Sequence, residues 1–467
     1  MQPFNSQTYI QRRAQLCAKV NKGIIVLMGN EEAPMNYTDN VYHFRQDSTF
    51  LYYFRVNKPG YIATMDCDSG ESTLYGYNAT MDDVIWTGPV PTLSEEAQMS
   101  GLTRFGGLED FERDIKAAMG LGREIHFLPP YRGDNAIKLG SILGIKPSEL
   151  KSKASQALIM AIISQRSYKT SEEIFFIEQA LNITREMHIA AVQVTKPNMY
   201  EYETVSEIQR ICHSYDAEFA YGVIFTVNGQ ILHNHGHHNK MEAGRMVIND
   251  SGVGTSTGYA SDITRSFPVD KKFTNKQKEI YSIVYEMEMN SIASLKPGVY
   301  YRDAHIASNR LMLQGLSDLG LVHGDIETMT SEGVGGLFMP HGLGHMMGLD
   351  VHDMEDLGEN YVGYTSDMQR STQLGLKSLR LARKLEKGFV LTVEPGIYFI
   401  PELIQKWKAE GKFTQYINYS ALESYFDFGG IRIEDNVWIT DDGQRVLGEH
   451  IPKTIDEIED LKSSNAQ

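Results

Sequence analysis

Asp250, Asp262, His345, Glu394 and Glu434 recur through the second half of the sequence inside short, Gly-punctuated, strand-like segments. These are Val247-Ile-Asn-Asp-Ser-Gly252, Tyr259-Ala-Ser-Asp-Ile-Thr-Arg-Ser-Phe267, His341-Gly-Leu-Gly-His345, Leu391-Thr-Val-Glu-Pro-Gly-Ile-Tyr398 and Gly429-Gly-Ile-Arg-Ile-Glu-Asp-Asn436. Four carboxylates and one imidazole suit a pair of divalent cations, because two ions held together need bridging oxygens that single imidazoles do not supply. Such a pair would acidify a water and polarise a carbonyl, which is the chemistry of hydrolysis. Any one of these acids taken alone reads as a solvated turn residue. Glu394 is the exception, since it ends the apolar run Phe389–Val393, where an unpaired carboxylate would be costly. Together, in this order, the five predict a dinuclear hydrolase.

The elements that must position them follow from patterning. Val247–Asp250 and Tyr259–Phe267 are β-prone runs joined by Ser251–Gly258, which predicts a hairpin with Asp250 and Asp262 facing each other across neighbouring strands. Thr264, two residues after Asp262, shares its face and is expected to orient its carboxylate. Asn249 is the competing residue, because a one-residue slip exchanges the two faces of a strand. Arg432 and Glu434 are two apart on one strand, which sets a cation beside an anionic ligand.

Gly23–Met28 and Phe50–Phe54 read as buried strands and Phe111–Met119 as a helix, giving an α/β first domain. Thr170 with Glu173 forms a capping-box pattern that opens a long helix carrying Ile174, Ile177 and Leu181 on one side. Thr274 with Gln277 opens another, which ends before Pro297-Gly298. The expectation is an α/β N-terminal domain over residues 1–168 and an α+β domain over 169–467. No internal repeat stands out.

Composition excludes several classes. A chain of 467 residues with 42% hydrophobic and 22% charged residues is globular and too long for one core. Its net charge of −16 argues against nucleic acid or an anionic membrane surface as partner. Cys17, Cys67 and Cys212 are odd in number and lack metal-ligand spacing. The N-terminus has no basic region followed by an apolar run, and no stretch approaches a membrane span, so a cytoplasmic location is expected.

His341 and His345 are four apart, but Pro340, Gly342 and Gly344 argue against a helix and no His-Glu-x-x-His is present. Gly333-Val-Gly-Gly336 is not a phosphate loop, because no Gly-Lys-Ser/Thr follows. His235, His237 and His238 read as structural. His233 and His352 would each read the same way if taken alone.

These segments together resemble the pita-bread metallopeptidases, in the branch of prolidase (Xaa-Pro dipeptidase) and aminopeptidase P. In the first domain Tyr42-His-Phe-Arg-Gln-Asp-Ser-Thr-Phe50 and Val84-Ile-Trp-Thr-Gly88 resemble the domain that those two enzymes share and that methionine aminopeptidases lack. The resemblance implies a pita-bread catalytic domain in which Asp250 binds one metal, Asp262 and Glu434 bridge both, and His345 with Glu394 completes the other. Manganese is the expected metal, with cobalt or zinc as alternatives. It further implies that Glu394 accepts a proton, that His233, His341, His352 and Arg432 act near the substrate, with Tyr221 beside them, and that the chain is a homodimer in which Trp86 narrows the partner's entrance.

The substrate implied is a proline-containing di- or oligopeptide. Leu376-Lys-Ser-Leu-Arg380-Leu-Ala-Arg383 resembles the prolidase segment whose arginine grips the carboxylate of a dipeptide, and a guanidinium suits that task. The insertion Pro401–Tyr425 and the ending Ile451–Ile458 look prolidase-like too. This favours Xaa-Pro dipeptides, with Xaa-Pro aminopeptidase activity on longer peptides as the alternative and a non-catalytic binding protein as a distant one. Two departures from the family stand out: the aspartates are one residue further apart, and Thr226-Val-Asn-Gly229 replaces a Gly-Ser-rich turn near Tyr221.

Overall fold

The apolar run at residues 24–28 becomes β1 (Ile24–Met28), buried along nearly its whole length because it lies between two other strands. The computed structural model describes residues 4–464, in one unit ending at Arg166 and another beginning at Ser167. Around β1 lie β2 (Ile62–Asp66), β3 (Ser72–Gly76), β4 (Arg104–Gly107) and β5 (Ile125–Phe127), in the order β4-β3-β2-β1-β5. Strands β3 and β4, and β1 and β5, pair parallel, and the others antiparallel. Helix Leu108–Gly120 presents Phe111, Ile115 and Ala118 at helical spacing to a core that includes Ile24, Val26, Ile62 and Tyr75.

Phe50–Phe54 is not a strand. It belongs to the helix Ser48–Phe54, capped by Asp47, whose carboxylate accepts from Phe50 N at 2.8 Å. A short apolar run has no periodicity to separate strand from helix, and the cap decides. The carbonyls at its end are met by buried guanidiniums: Arg12 donates to Tyr52 O at 3.1 Å and Arg13 to Tyr53 O at 2.8 Å.

In the second unit two helices followed by antiparallel strands occur twice. The first round holds helices Ser171–Val194 and Glu201–Ser214, then β6 (Glu218–Phe219), β7 (Ile224–Thr226), β8 (Met246–Asp250), β9 (Val253–Gly254) and β10 (Thr264–Pro268). The second holds helices Asn275–Ser294 and Tyr301–Asp318, then β11 (Val390–Val393), β12 (Gly396–Tyr398), β13 (Gly430–Arg432), β14 (Asp435–Ile439) and β15 (Gln444–Val446). Both expected capping boxes form, at Thr170–Glu173 and Thr274–Gln277.

These two rounds are a repeat too weak in sequence to stand out there. Lys196-Pro-Asn-Met-Tyr200 and Lys296-Pro-Gly-Val-Tyr300 each join the helices of one round, with Asn198 and Gly298 at φ 76° and 92°, and Tyr200 and Tyr300 bridge Lys240 and Lys384. Gly244 and Gly388, at φ 84° and 93°, precede strands that lead to Asp250 and Glu394. Two of the five expected ligands thus hold matching places in the two rounds.

The hairpin differs from expectation in one respect. β8 and β10 pair antiparallel, but the residue opposite Asp250 is Thr264, and Asp262 lies before β10 in the connection. That connection folds on itself: Ser261 Oγ accepts from Val253 N at 3.0 Å, and a Cβ on Gly252 would run into Ser261 O. β9 pairs with β6 instead of extending the ladder.

Candidate metal centre and active site

Asp250, at the end of β8, and Asp262, in the connection to β10, converge on one hydroxyl. Tyr221 Oη lies 2.7 Å from Asp250 Oδ1 and 2.6 Å from Asp262 Oδ1. Glu434 sits between β13 and β14, bridged to Thr264, whose Oγ1 donates to Glu434 Oε2 at 2.6 Å. Thr264 therefore orients Glu434 and not Asp262, because Asp262 lies off the strand that carries Thr264. Arg432 likewise contacts Asp250 instead of its strand neighbour Glu434: Nη2 donates to Asp250 Oδ2 at 2.6 Å, Nε to Thr264 Oγ1 at 3.1 Å and Nη1 to Tyr398 Oη at 2.9 Å. Asn249 faces the opposite way, its amide 3.1 Å from Nδ1 of buried His188, so the register puts Asp250 in the site.

His345 Nδ1 donates to Met346 O at 3.0 Å. Its Nε2 points at the acids, 3.4 Å from Asp262 Oδ2 and 3.7 Å from Glu394 Oε1. Glu394 follows the buried strand β11, its backbone N–H held by Leu343 O at 2.8 Å. One ligand atom each from Asp262, His345 and Glu434 falls within 4.8 Å of the others, and all three residues are buried.

The electrostatics are those of negative charge gathered without enough compensation. Burial, with the charges of Asp262, Glu394 and Asp250, pushes the Glu434 carboxyl well above its usual range. Glu394 is pushed up to about 7, by burial first and by Asp262 and Asp250 against the pull of His345 and Arg432. Asp250 is raised by burial, whereas hydrogen bonds from His345 and Tyr221 outweigh burial and hold Asp262 low. Burial opposes a charge on His345, but Asp262 and Glu394 raise it to about 9. A set of buried oxygens that draws a proton onto its only imidazole is a set that fits divalent cations. Asp250, Asp262, His345, Glu394 and Glu434 are the residues present to hold them.

These groups line a cavity of about 470 Å³, a size suited to a small ligand. His233, His341, His352 and Arg380 line it with Tyr221, Arg432 and the five acid and imidazole groups. Trp86 lies in the first unit, on helix Met81–Thr87, with 85% of its surface exposed.

His341 Nδ1 must donate to Gly342 O, 2.7 Å away, so Nε2 accepts from Tyr398 Oη at 2.8 Å. Burial and Arg432 lower its pKa to about 3, so it is neutral. In this arrangement both its nitrogens are engaged in a chain running Arg432–Tyr398–His341. His352 Nδ1 lies 3.1 Å from Glu355 Oε2, and its ring centroid is 4.0 Å from that of His345. The next residue, Asp353, anchors the segment through a buried ion pair with Lys169 Nζ at 2.9 Å.

Sequence reasoning missed Tyr398, Glu355 and His235. Glu394, Gly396 and Tyr398 alternate in an extended run, which carried the signal for Tyr398. Glu355 follows His352 by three residues in an acidic stretch. His235 lines the cavity beside Gly222, whereas His237 Nδ1 is turned to Phe225 O at 3.3 Å.

The class defined by this fold and site agrees with comparisons to known proteins. The chain belongs to Metallopeptidase family M24, which it matches over residues 176–441, and residues 9–126 match the Aminopeptidase P, N-terminal domain. More particularly, it is 32% identical to the Xaa-Pro dipeptidase of Homo sapiens, covering 96% of this chain and 91% of that one. It is 31% identical to a probable Xaa-Pro aminopeptidase of Aspergillus niger, covering 97% and 95%. Among solved structures, Pseudomonas aeruginosa aminopeptidase PepP superposes with a TM-score of 0.82 at 27% identity over 100% of this chain and 99% of that one. An Escherichia coli aminopeptidase P variant in complex with substrate gives 0.80 at 27%, over 99% of each. The architecture is thus an aminopeptidase P-type N-terminal domain followed by a pita-bread catalytic domain.

Proposed function

We propose that the chain is a divalent-metal-dependent peptidase that hydrolyses the bond before proline. The observation that carries it is the convergence of Asp250, Asp262, His345, Glu394 and Glu434 in one cavity whose wall also holds Arg380 and His352. Relatives named Xaa-Pro dipeptidase and Xaa-Pro aminopeptidase support the substrate class. Bound divalent ions, manganese in this reading because the donors are mostly oxygens, with cobalt or zinc as substitutes, would acidify a water and polarise the scissile carbonyl. Asp262 and Glu434 would serve both ions.

The chain's own residues do the rest. Glu394 accepts the proton of the attacking water and returns it to the proline nitrogen as the bond breaks. His352 lines the cavity beside His345 and, once protonated so that Nε2 carries a hydrogen as well as Nδ1, donates to the developing oxyanion, with His233 as a second donor. Arg432 and His341, joined through Tyr398, hold Asp250 and the cavity wall in place. Tyr221 spaces the two aspartates.

Arg380 on the wall favours Xaa-Pro dipeptides, whose carboxylate it would meet. One observation favours longer peptides as a second reading: the guanidinium is not a lone buried cation, because Glu355 and Glu359 already accept from it. In the same reading two copies associate in the cytoplasm and Trp86, exposed with Met81 and Ile85 beside it, contributes to the partner's entrance.

The test is turnover of Ala-Pro and Ala-Pro-Ala by metal-loaded and chelator-stripped enzyme, with sedimentation for the dimer. Cleavage of one or both peptides, lost on stripping and restored by manganese, is expected. Full activity in the stripped preparation would refute it, and a fully active monomer would remove the role of Trp86.

A further inference from the structure

Arg380 presents a guanidinium whose two sides differ. Nη1 donates to Glu355 Oε2 and, at 3.1 Å, to Glu359 Oε1, while Nη2 makes no hydrogen bond among the described residues. Glu359 also accepts from Arg370 Nη2 at 2.7 Å. Two carboxylates therefore face two guanidiniums, and the group carries no excess positive charge. Glu355 is the more enclosed acid, its side chain 17% exposed against 37% for Glu359. Its Oε2 also takes the His352 Nδ1 bond, and its Oε1 is buried without a partner among the described residues. Burial opposes its charge, but the hydrogen bond with His352 and the charges of His352, His345 and Arg380 hold its carboxyl below the usual range, so it is ionised.

This pairing changes what the cavity wall can distinguish. A lone guanidinium in a half-enclosed site favours a carboxylate over a neutral carbonyl through its net charge. A guanidinium already balanced by a carboxylate keeps its directional N–H donors but loses most of that long-range preference. Resting on the reading of Xaa-Pro hydrolysis, we propose that Glu355 is a specificity-determining positioning residue. It holds Nη1, cancels its charge and leaves Nη2 to bond the acceptor that follows proline, whether carboxylate or amide carbonyl. The site then takes Xaa-Pro dipeptides and longer Xaa-Pro peptides alike, and removing the charge at position 355 turns it toward dipeptides.

The experiment compares kcat and KM for Ala-Pro and Ala-Pro-Ala on manganese-loaded wild type, Glu355→Gln, Glu355→Asp and Glu359→Gln. Glutamine keeps an oxygen where Oε2 accepts its two bonds, so the charge is the principal change. Wild type should cleave both peptides with kcat/KM values within about tenfold of each other. Glu355→Gln should raise the Ala-Pro to Ala-Pro-Ala ratio about tenfold, mainly through a lower KM for Ala-Pro. Glu355→Asp retains the charge and should stay within about twofold of wild type. A kcat loss common to both peptides reports the His352 bond, and only the ratio reports the charge. Glu359→Gln should move the ratio the same way by a smaller factor, which keeps the test open should Glu355→Gln fail to fold. An unchanged ratio in the glutamine variants that fold overturns the proposal. Cleavage of neither peptide by wild type would bring down the Xaa-Pro reading and this proposal with it.

Discussion

Glu434 and Asp435 are consecutive residues, and an extended backbone sends their side chains into two opposite kinds of charge cluster. Asp435 lies 2.7 Å from Arg265 Nη2 and 2.6 Å from Lys453 Nζ, and Lys453 in turn holds both oxygens of Glu288 at 2.9 Å. Two buried carboxylates meet two buried cations there. Burial would raise Asp435, but Arg265 and Lys453 hold it well below the usual range. On the other side, Glu434 joins Asp250, Asp262 and Glu394, with one guanidinium and one imidazole to oppose them. The difference teaches that this chain sets buried acids against as many buried cations in one place, and one residue away does not. The imbalance marks where the missing positive charge must come from outside.

The contrast is broken most severely by neutralising either member. Asp262→Ala or Glu434→Ala should lower kcat/KM on the order of 10³-fold. The metal-free Tm of Glu434→Ala should rise, since a like-charge repulsion is relieved. Asp435→Ala should do the reverse. It strands two cations and should cost about 3–5 kcal/mol of stability, while activity per folded molecule persists. Denaturant melts beside active-fraction assays measure both, and a stable but inactive Asp435→Ala protein would end the distinction.

A finer test separates the two faces of β8. Asp250→Asn should reduce bound manganese from two equivalents to one, read by metal analysis. Asn249→Ala should leave that stoichiometry alone, because Asn249 faces His188. The opposite pattern would show that the register is misread.

The smallest effect is in pH dependence. Glu394 keeps its proton up to about 7 in the fold but releases it near 4.5 when unfolded, and His345 stays protonated to about 9 against 6.5. Over that window the folded metal-free protein binds the extra protons, so its stability falls as pH rises. Asp435 has the other sign: its folded value lies below 3.8, and its contribution is present above that and lost in acid. Metal-free enzyme should therefore lose about 5 °C in Tm between pH 5 and pH 9, and manganese should flatten the slope. A rising metal-free Tm over that range would contradict the reading of the acidic cluster.

The acids that converge in the cavity were legible because Glu394 and Glu434 sit in apolar, Gly-flanked runs where acids are otherwise rare, and the capping boxes were legible because their pattern is local. Phe50–Phe54 failed for lack of periodicity in a short run. The partner of Thr264 failed because Asp262 left the strand at a pinch that spacing does not reveal. The two-round repeat was present in Lys-Pro-x-x-Tyr at positions 196–200 and 296–300, but few residues are shared between rounds, so it shows in backbone conformation more than in identity. Glu355 has no signature of its own, and Tyr398 has only its alternation with Glu394 in an extended run. Their meaning comes from Arg380 and His341, which the fold brings to them.

The pinch at Gly252 and Ser261 has a practical corollary. It clamps the stem of the connection that carries Asp262, and Thr184 Oγ1 fastens Ser261 Oγ at 2.7 Å from behind, while Ser256 at the tip is exposed. Added length is quarantined in residues 255–258, beyond the clamp. That tip is accordingly a place to graft a fluorophore or an affinity peptide within six residues of Asp262 without moving it.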